Sequence, residues 1–242
     1  MTFRILSAAL VAGLWAALAA SVLQAAWTTP LILEAEIYES QSAETRTSPP
    51  GKVDGSTLSQ SHDEAALANP SFLTRVERAA FTSLATLVSG VGYALVLLAL
   101  LLASGATPSR ETTLRWALAA FLAVNLAPAI GLPPELPGMG GGDLFARQAW
   151  WVFTVCSSGV GLYLLRRVRS AVAVTAAVVA LALPHLVGAP HAVGASEVPP
   201  ALAAQFATRS VAIGLIFWGV LGLALSWAWS RQASTHGVQA LG

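Results

Sequence analysis

Residues 114–165 read LRWALAAFLAVNLAPAI, then GLPPELPGMGGGD, then LFARQAWWVFTVCSSGVGLYLL. An apolar run from about Leu114 to Ile130 and a second from about Ala149 to Leu165 each approach the roughly 20 residues that a helix needs to cross a hydrocarbon core. Between them stand three prolines, five glycines and two carboxylates, Glu135 and Asp143. Pro133, Pro134 and Pro137 cannot continue a helix and supply no backbone donor, while Gly138 and Gly140 to Gly142 permit tight turns. Two membrane spans joined by a stiff, non-helical loop are therefore expected, and the rest of the chain extends the pattern to an all-α, multi-pass membrane helix bundle.

Four further runs of the same kind, about Ile5–Trp27, Ala79–Ala103, Ala171–Val187 and Ala201–Trp229, bring the expected number of transmembrane helices to about six, in one membrane domain over residues 1–242. Composition agrees: 55% of the residues are hydrophobic and 10% charged, against roughly 25% charged in a soluble domain, and mean hydropathy is +0.67. Residues 40–70, by contrast, are polar and rich in Pro, Gly and Ser, the composition of a disordered extracytoplasmic loop. Arg4 ahead of an apolar core with Ala17-Leu18-Ala19 also resembles a secretory signal, but the run is longer than the usual 7–15 residues of such a core and favours an uncleaved helix. Pro30 is expected to end that helix, leaving Glu34 and Glu36 just beyond it.

The RRVR loop, Arg166 to Arg169, sets the orientation, because short basic loops stay on the cytoplasmic side. With both ends inside, that side holds Arg4, Arg110, Arg115, Arg166, Arg167, Arg169 and Arg231, and Glu111 is its one acidic residue. The remaining carboxylates face out, where their field concentrates cations. Trp150 and Trp151 are expected in the outer interfacial belt, Asn125 in a helix-to-helix hydrogen bond, and Gly90, Gly92, Gly159, Gly161, Gly214, Gly219 and Gly222 at close helix contacts.

The single cysteine, Cys156, excludes a disulfide framework, so any metal chemistry must use nitrogen and oxygen ligands. No HExxH, GxSxG or Cys–His pairing is present, and the chain is not expected to be an enzyme. Nor does any segment resemble an ATP-binding loop, which keeps a non-transporting scaffold or assembly subunit open beside a transport subunit. No nucleic-acid partner is expected.

Three outer elements carry candidate ligands. LEAEIYE holds Glu34 and Glu36, GLPPELPG holds Glu135 with Asp143 after it, and PHLVGAPH holds His185 and His191. Glu135, at the centre of the proline loop, would present its carboxylate to a cavity, and a charge at the membrane edge is by default a functional-site hypothesis. Mixed imidazole and carboxylate ligands suit first-row divalent metals. The expected site is thus Glu135 with His185 and His191, assisted by Asp143 or by Glu34 and Glu36, with His62 a lesser candidate for capture. Such a site binds the transported cation in passing, with no permanently bound cofactor. Imidazole ligates only when neutral, so uptake is expected to weaken as pH falls through about 6.5.

The segments PLILEAEIYE, GLPPELPGMGGGDLFARQAWW and LPHLVGAPH, in this order, resemble the CbtA family of bacterial cobalt transporter subunits, over essentially the whole chain. The resemblance implies a multi-pass inner-membrane protein, cobalt as the transported ion, and a small single-span partner, CbtB, in uptake linked to cobalamin supply. Many members carry a His-rich tract in the first outer loop, where this chain has only His62 beside Asp63 and Glu64. Members are usually described with five spans rather than six.

Overall fold

The structure, a computed structural model, describes residues 2–47, 72–167, 169–190 and 196–239, and all regular structure among them is helical. In chain order the helices are α1 (Thr2–Leu23), α2 (Thr29–Thr47), α3 (Phe72–Ala103), α4 (Arg110–Phe121), α5 (Ala127–Gly131), α6 (Leu144–Arg167), α7 (Ala171–Val187) and α8 (Pro200–Gln239). A π turn at Gln24–Thr28 fuses α1 to α2, and another at Leu122–Leu126 fuses α4 to α5. Six helical rods result.

Helix α1 lies between α3 and α8; α8 also packs on α4, the α4–α5 rod on α6, and α6 on α7. The central place of α1 follows from its buried residues, all small: Ala8, Ala12, Ala16 and Ala20 form one row four apart, and Ala9, Gly13 and Ala17 another. Rows four apart share a helix face, and small side chains let backbones approach where lipid offers no hydrophobic drive for association. Leu97 and Leu98 of α3, Phe121 of α4 and Trp218, Leu221 and Leu225 of α8 complete this core.

Polar contacts fix the antiparallel pairing of α1 with α8. Arg4 Nη2 donates to the Trp229 carbonyl at 3.0 Å, with its guanidinium 4.0 Å from the Trp229 ring centroid. Gln232 Nε2 donates to Ser7 Oγ at 3.0 Å. At the opposite end Arg209 Nη1 donates to the Trp27 carbonyl at 2.8 Å.

Pro30 does not end the first helix, contrary to expectation. A proline inside a helix removes one donor and crowds the carbonyl four residues back. Here the wide π turn absorbs the strain: the Gln24 carbonyl accepts from the Thr29 backbone N–H, and the hydroxyls of Thr28 and Thr29 each donate to it at 3.0 Å. The second π turn bears the same relation to Pro128, beginning six residues before it, as the first does to Pro30. Residues 40–47 continue α2 as helix, and residues 48–70 of the segment expected to be disordered lie outside the described residues.

Four stretches among the described residues are long and apolar enough to cross a membrane: Thr2–Gln41, Ala80–Ala103, Arg110–Gly131 and Pro200–Gln232. The other two expected spans are the hairpin α6–α7. At 17 residues α7 is about 26 Å long, short of a hydrocarbon core of roughly 30 Å, and α6 carries Arg147, Gln148, Thr154, Ser157 and Ser158 along its length. Several of these groups have partners inside the bundle: Arg147 pairs with Glu135, Thr154 Oγ1 donates to the Trp150 carbonyl at 2.9 Å, and Ser157 Oγ donates across to the Ala180 carbonyl of α7 at 2.5 Å, while Ser158 Oγ is buried without one. The topology has a direct test. In a Cys156→Ser background, a cysteine at Pro190 should react with a membrane-impermeant maleimide added to intact cells, and one at Thr107 should react only after lysis. Labelling of Thr107→Cys in intact cells would invert the bundle.

Candidate functional site

Residues 132–143 join α5 to α6 without helix, as three prolines require. The segment closes on itself at Leu136–Met139, where the Met139 N–H donates to the Leu136 carbonyl at 3.3 Å. Gly138 lies at φ +80° and Gly140 at φ +59°, a left-handed backbone that L side chains rarely adopt. Leu136 is driven inward, joining Leu31 and Ala35 of α2 with Val198, just ahead of α8, and Leu202 in its first turn in a second buried cluster. The loop is thereby locked to two helices that lie far from it in sequence. The Glu197 N–H donates to the Gly138 carbonyl at 3.4 Å, and Gly138 packs beside Glu39 of α2 and Val198.

The near end of the loop meets the third element. Trp150 is buried within the bundle. Its indole covers Gly131, where a Cβ would come within 2.5 Å of the ring, and its Nε1 donates to the Pro184 carbonyl at 3.2 Å. His185 meets the same indole edge-on, with ring centroids 6.0 Å apart, and Ala189 packs against Gly131. LEAE, through Ala35, and the described part of PHLVGAPH, residues 184–190, thus each adjoin GLPPELPG, which bridges them at one end of the bundle.

The candidate ligands occupy different surroundings within that end. Glu135 Oε2 accepts a hydrogen bond from Arg147 Nη1 at 2.5 Å, each side chain 23% exposed. Asp143 caps α6, its Oδ1 accepting from the Ala146 N–H at 2.7 Å; a carboxylate at a helix N-terminus is favoured there by the dipole. Glu34 is exposed on α2, and Glu36 on the same helix is half-buried. His185 is half-buried against Trp150, and His191 and His62 lie outside the described residues. Among the described residues, no three His, Cys, Asp or Glu side chains are grouped closely enough to hold a metal ion.

Below the Glu135–Arg147 pair lies a cavity of about 660 Å³ between the α4–α5 rod and α6. Its walls run from Glu135, Arg147 and Gln148 past Trp151 and Pro128 to Asn125. Asn125 sits within the second π turn, a departure from regular helix that is frequent at functional sites. Its Oδ1 accepts from Trp218 Nε1 of α8 at 2.7 Å, the expected helix-to-helix bond. The amide therefore does both: it ties the third rod to α8 and lines the floor of the cavity. Pairing of Arg147 with Glu135 is a contact twelve residues apart that only the fold of the proline loop creates.

These features define a polytopic membrane protein with a polar cleft opening at a carboxylate-bearing end, the class to which transport subunits belong. Residues 2–230 match the family described as "Probable cobalt transporter subunit (CbtA)", and the chain belongs to that family. It is accordingly a membrane protein of cobalt transport with transmembrane helices. No curated protein and no solved structure matches the chain.

Proposed function

We propose that this chain is the membrane subunit of a divalent-cation uptake transporter, with cobalt as its ion, in the bacterial inner membrane. It works there as one membrane domain beside a small single-span CbtB-like subunit. The observation that carries the reading is the position of Glu135, whose carboxylate stands at the mouth of a cavity that leads to Asn125 in the π turn. In the resting protein Arg147 neutralises that carboxylate. A divalent ion drawn to the acidic outer face displaces the guanidinium and exchanges part of its water for the carboxylate oxygens. His185 and His191, with Asp143, Glu34 and Glu36, supply imidazole and negative field around the same mouth. Ligands that are few and mixed suit a carrier, which must release what it binds.

The test is uptake of radiolabelled cobalt by cells that lack endogenous cobalt import, expressing this chain with its single-span partner, this chain alone, or neither. Uptake above background that requires this chain is expected. If cobalt, nickel and zinc all stay at background whenever the chain is present in the membrane, the scaffold reading takes its place.

A further inference from the structure

The opposite end of the bundle carries a second cavity, of about 420 Å³, that has no part in the outer cleft. Its lining includes Arg115 and Trp116 of α4, Tyr163, Arg166 and Arg167 of α6, and Ser104 from the turn after α3. The opening arises from the way the rods diverge. The α4–α5 rod meets α6 mainly through Leu122–Leu126 and α5, and α4 itself barely touches α6, so the two helices splay toward this end.

Three guanidinium groups converge on the gap with little to neutralise them. Arg115 is paired with Glu111 one turn away, but both are largely exposed, and an exposed pair within one helix offsets little charge. No carboxylate pairs with Arg166 or Arg167 among the described residues. Instead each is held over an aromatic ring, Arg166 at 6.0 Å from the Trp116 centroid and Arg167 at 5.9 Å from that of Tyr163. Cations stacked on rings keep their hydrogen-bond donors available. In addition, Trp116 Nε1 is buried with no hydrogen-bond partner, a donor without an acceptor in a residue that lines the cavity. Such an orphan calls for a missing partner.

We infer that this cavity binds the phosphate of an anionic phospholipid, such as phosphatidylglycerol, in the leaflet at the basic face. Planar guanidinium forks match phosphate oxygens in pairs, and basic pockets between helices at the cytoplasmic surface take anionic headgroups. A lipid fits better than a free anion because the two helices that frame the cavity expose apolar side chains beside it in sequence: Tyr163 of the lining, Leu165 of α6 and Leu118 of α4 are each 43–53% exposed. Trp116 and Tyr163 mark the headgroup level, where amphipathic rings concentrate. The lipid would fill the wedge that the splayed rods leave open and hold α6 at its distance from α4. This assignment is independent of which ion crosses the bundle.

Native mass spectrometry of the purified full chain, extracted in detergent with phosphatidylglycerol or phosphatidylcholine, provides the test. Wild-type protein should retain phosphatidylglycerol in preference to phosphatidylcholine, and Arg166→Gln with Arg167→Gln should reduce that retention by about fivefold per charge removed. Unchanged phosphatidylcholine retention and an unchanged elution volume show that the variant is folded. Arg231→Gln, at the same face but outside the cavity, should retain phosphatidylglycerol as wild type does. Three results would overturn the assignment: equal retention of the two lipids by wild type, equal loss in Arg231→Gln, or displacement of the lipid by millimolar inorganic phosphate, which would make it a small-anion site.

Discussion

Glu135→Gln is expected to lower cobalt uptake by on the order of tenfold or more while the protein reaches the membrane at its normal level. At about 4 Å and an effective dielectric of ~20, the attraction between a carboxylate and a divalent ion amounts to several kcal/mol, and each 1.4 kcal/mol lost is about tenfold in binding. Glutamine keeps the shape of the side chain and an oxygen that can still accept from Arg147, so the proline loop retains its anchor. Leu136 in its cluster with Leu31, Ala35, Val198 and Leu202 holds the loop independently of the charge. Arg147→Gln separates ligand from scaffold further. It frees Glu135 from its counter-ion, so the cobalt concentration for half-maximal uptake should fall, whereas a purely structural pair would make both variants lose membrane-inserted protein alike. Wild-type uptake by Glu135→Gln, or a loss of uptake matched by loss of protein from the membrane, would remove Glu135 from the transport path.

Four of the six rods were legible because a spanning helix announces itself by length and apolarity alone, with no reference to what surrounds it; the α6–α7 pair, shorter or more polar, was legible only as apolar runs between turn signals. Pro30 misleads at that level. Whether a proline stops a helix depends on whether the preceding turn can widen, and that rests on the Gln24 carbonyl accepting from Thr29 and from two hydroxyls at once. Asp143 before Leu144 is a helix-capping position by sequence, and its carboxylate caps α6, although as a carboxylate of the outer loop it also counts among the expected ligands. Trp150 has the composition of a belt residue, and its burial follows only from Gly131 leaving room for the ring. The outer elements were expected to meet, since each issues from a helix end on one face, and they do adjoin. That Arg147, just after the glycine run, can pair with Glu135 or Asp143 is legible in the sequence, and it takes Glu135. What sequence withholds is which of the two it takes, because that depends on the loop turning back at Gly138 and Gly140, and no periodicity encodes that return.

The packing of α1 against α3 gives a prediction in which two effects of known sign oppose each other. Gly13 and Gly90 face one another so closely that a Cβ on Gly13 would lie 2.6 Å from the Val91 Cα, and one on Gly90 would lie 2.8 Å from the Gly13 carbonyl oxygen. Helix propensity alone favours Gly→Ala in a helix interior by about 1 kcal/mol. Sterics oppose it, because the obstructing atoms are backbone and cannot rotate aside; the helices must part, and overpacking of this kind costs about 3 kcal/mol. The difference, about 2 kcal/mol, corresponds to roughly a thirtyfold fall in the folded-to-unfolded ratio. Gly13→Ala and Gly90→Ala should therefore each lower the melting temperature in detergent and the amount of protein in the membrane. Gly92→Ala, two residues along α3 with nothing within 4 Å of its Cβ position, feels only propensity and should be neutral or slightly more stable. If Gly90→Ala and Gly92→Ala shift stability in the same direction, α1 and α3 are not in backbone contact and the place of α1 at the centre of the bundle is lost with it. The predicted opposition of sign arises because lipid provides no hydrophobic drive between helices, which leaves close approach of backbones as what holds α1 to its neighbour.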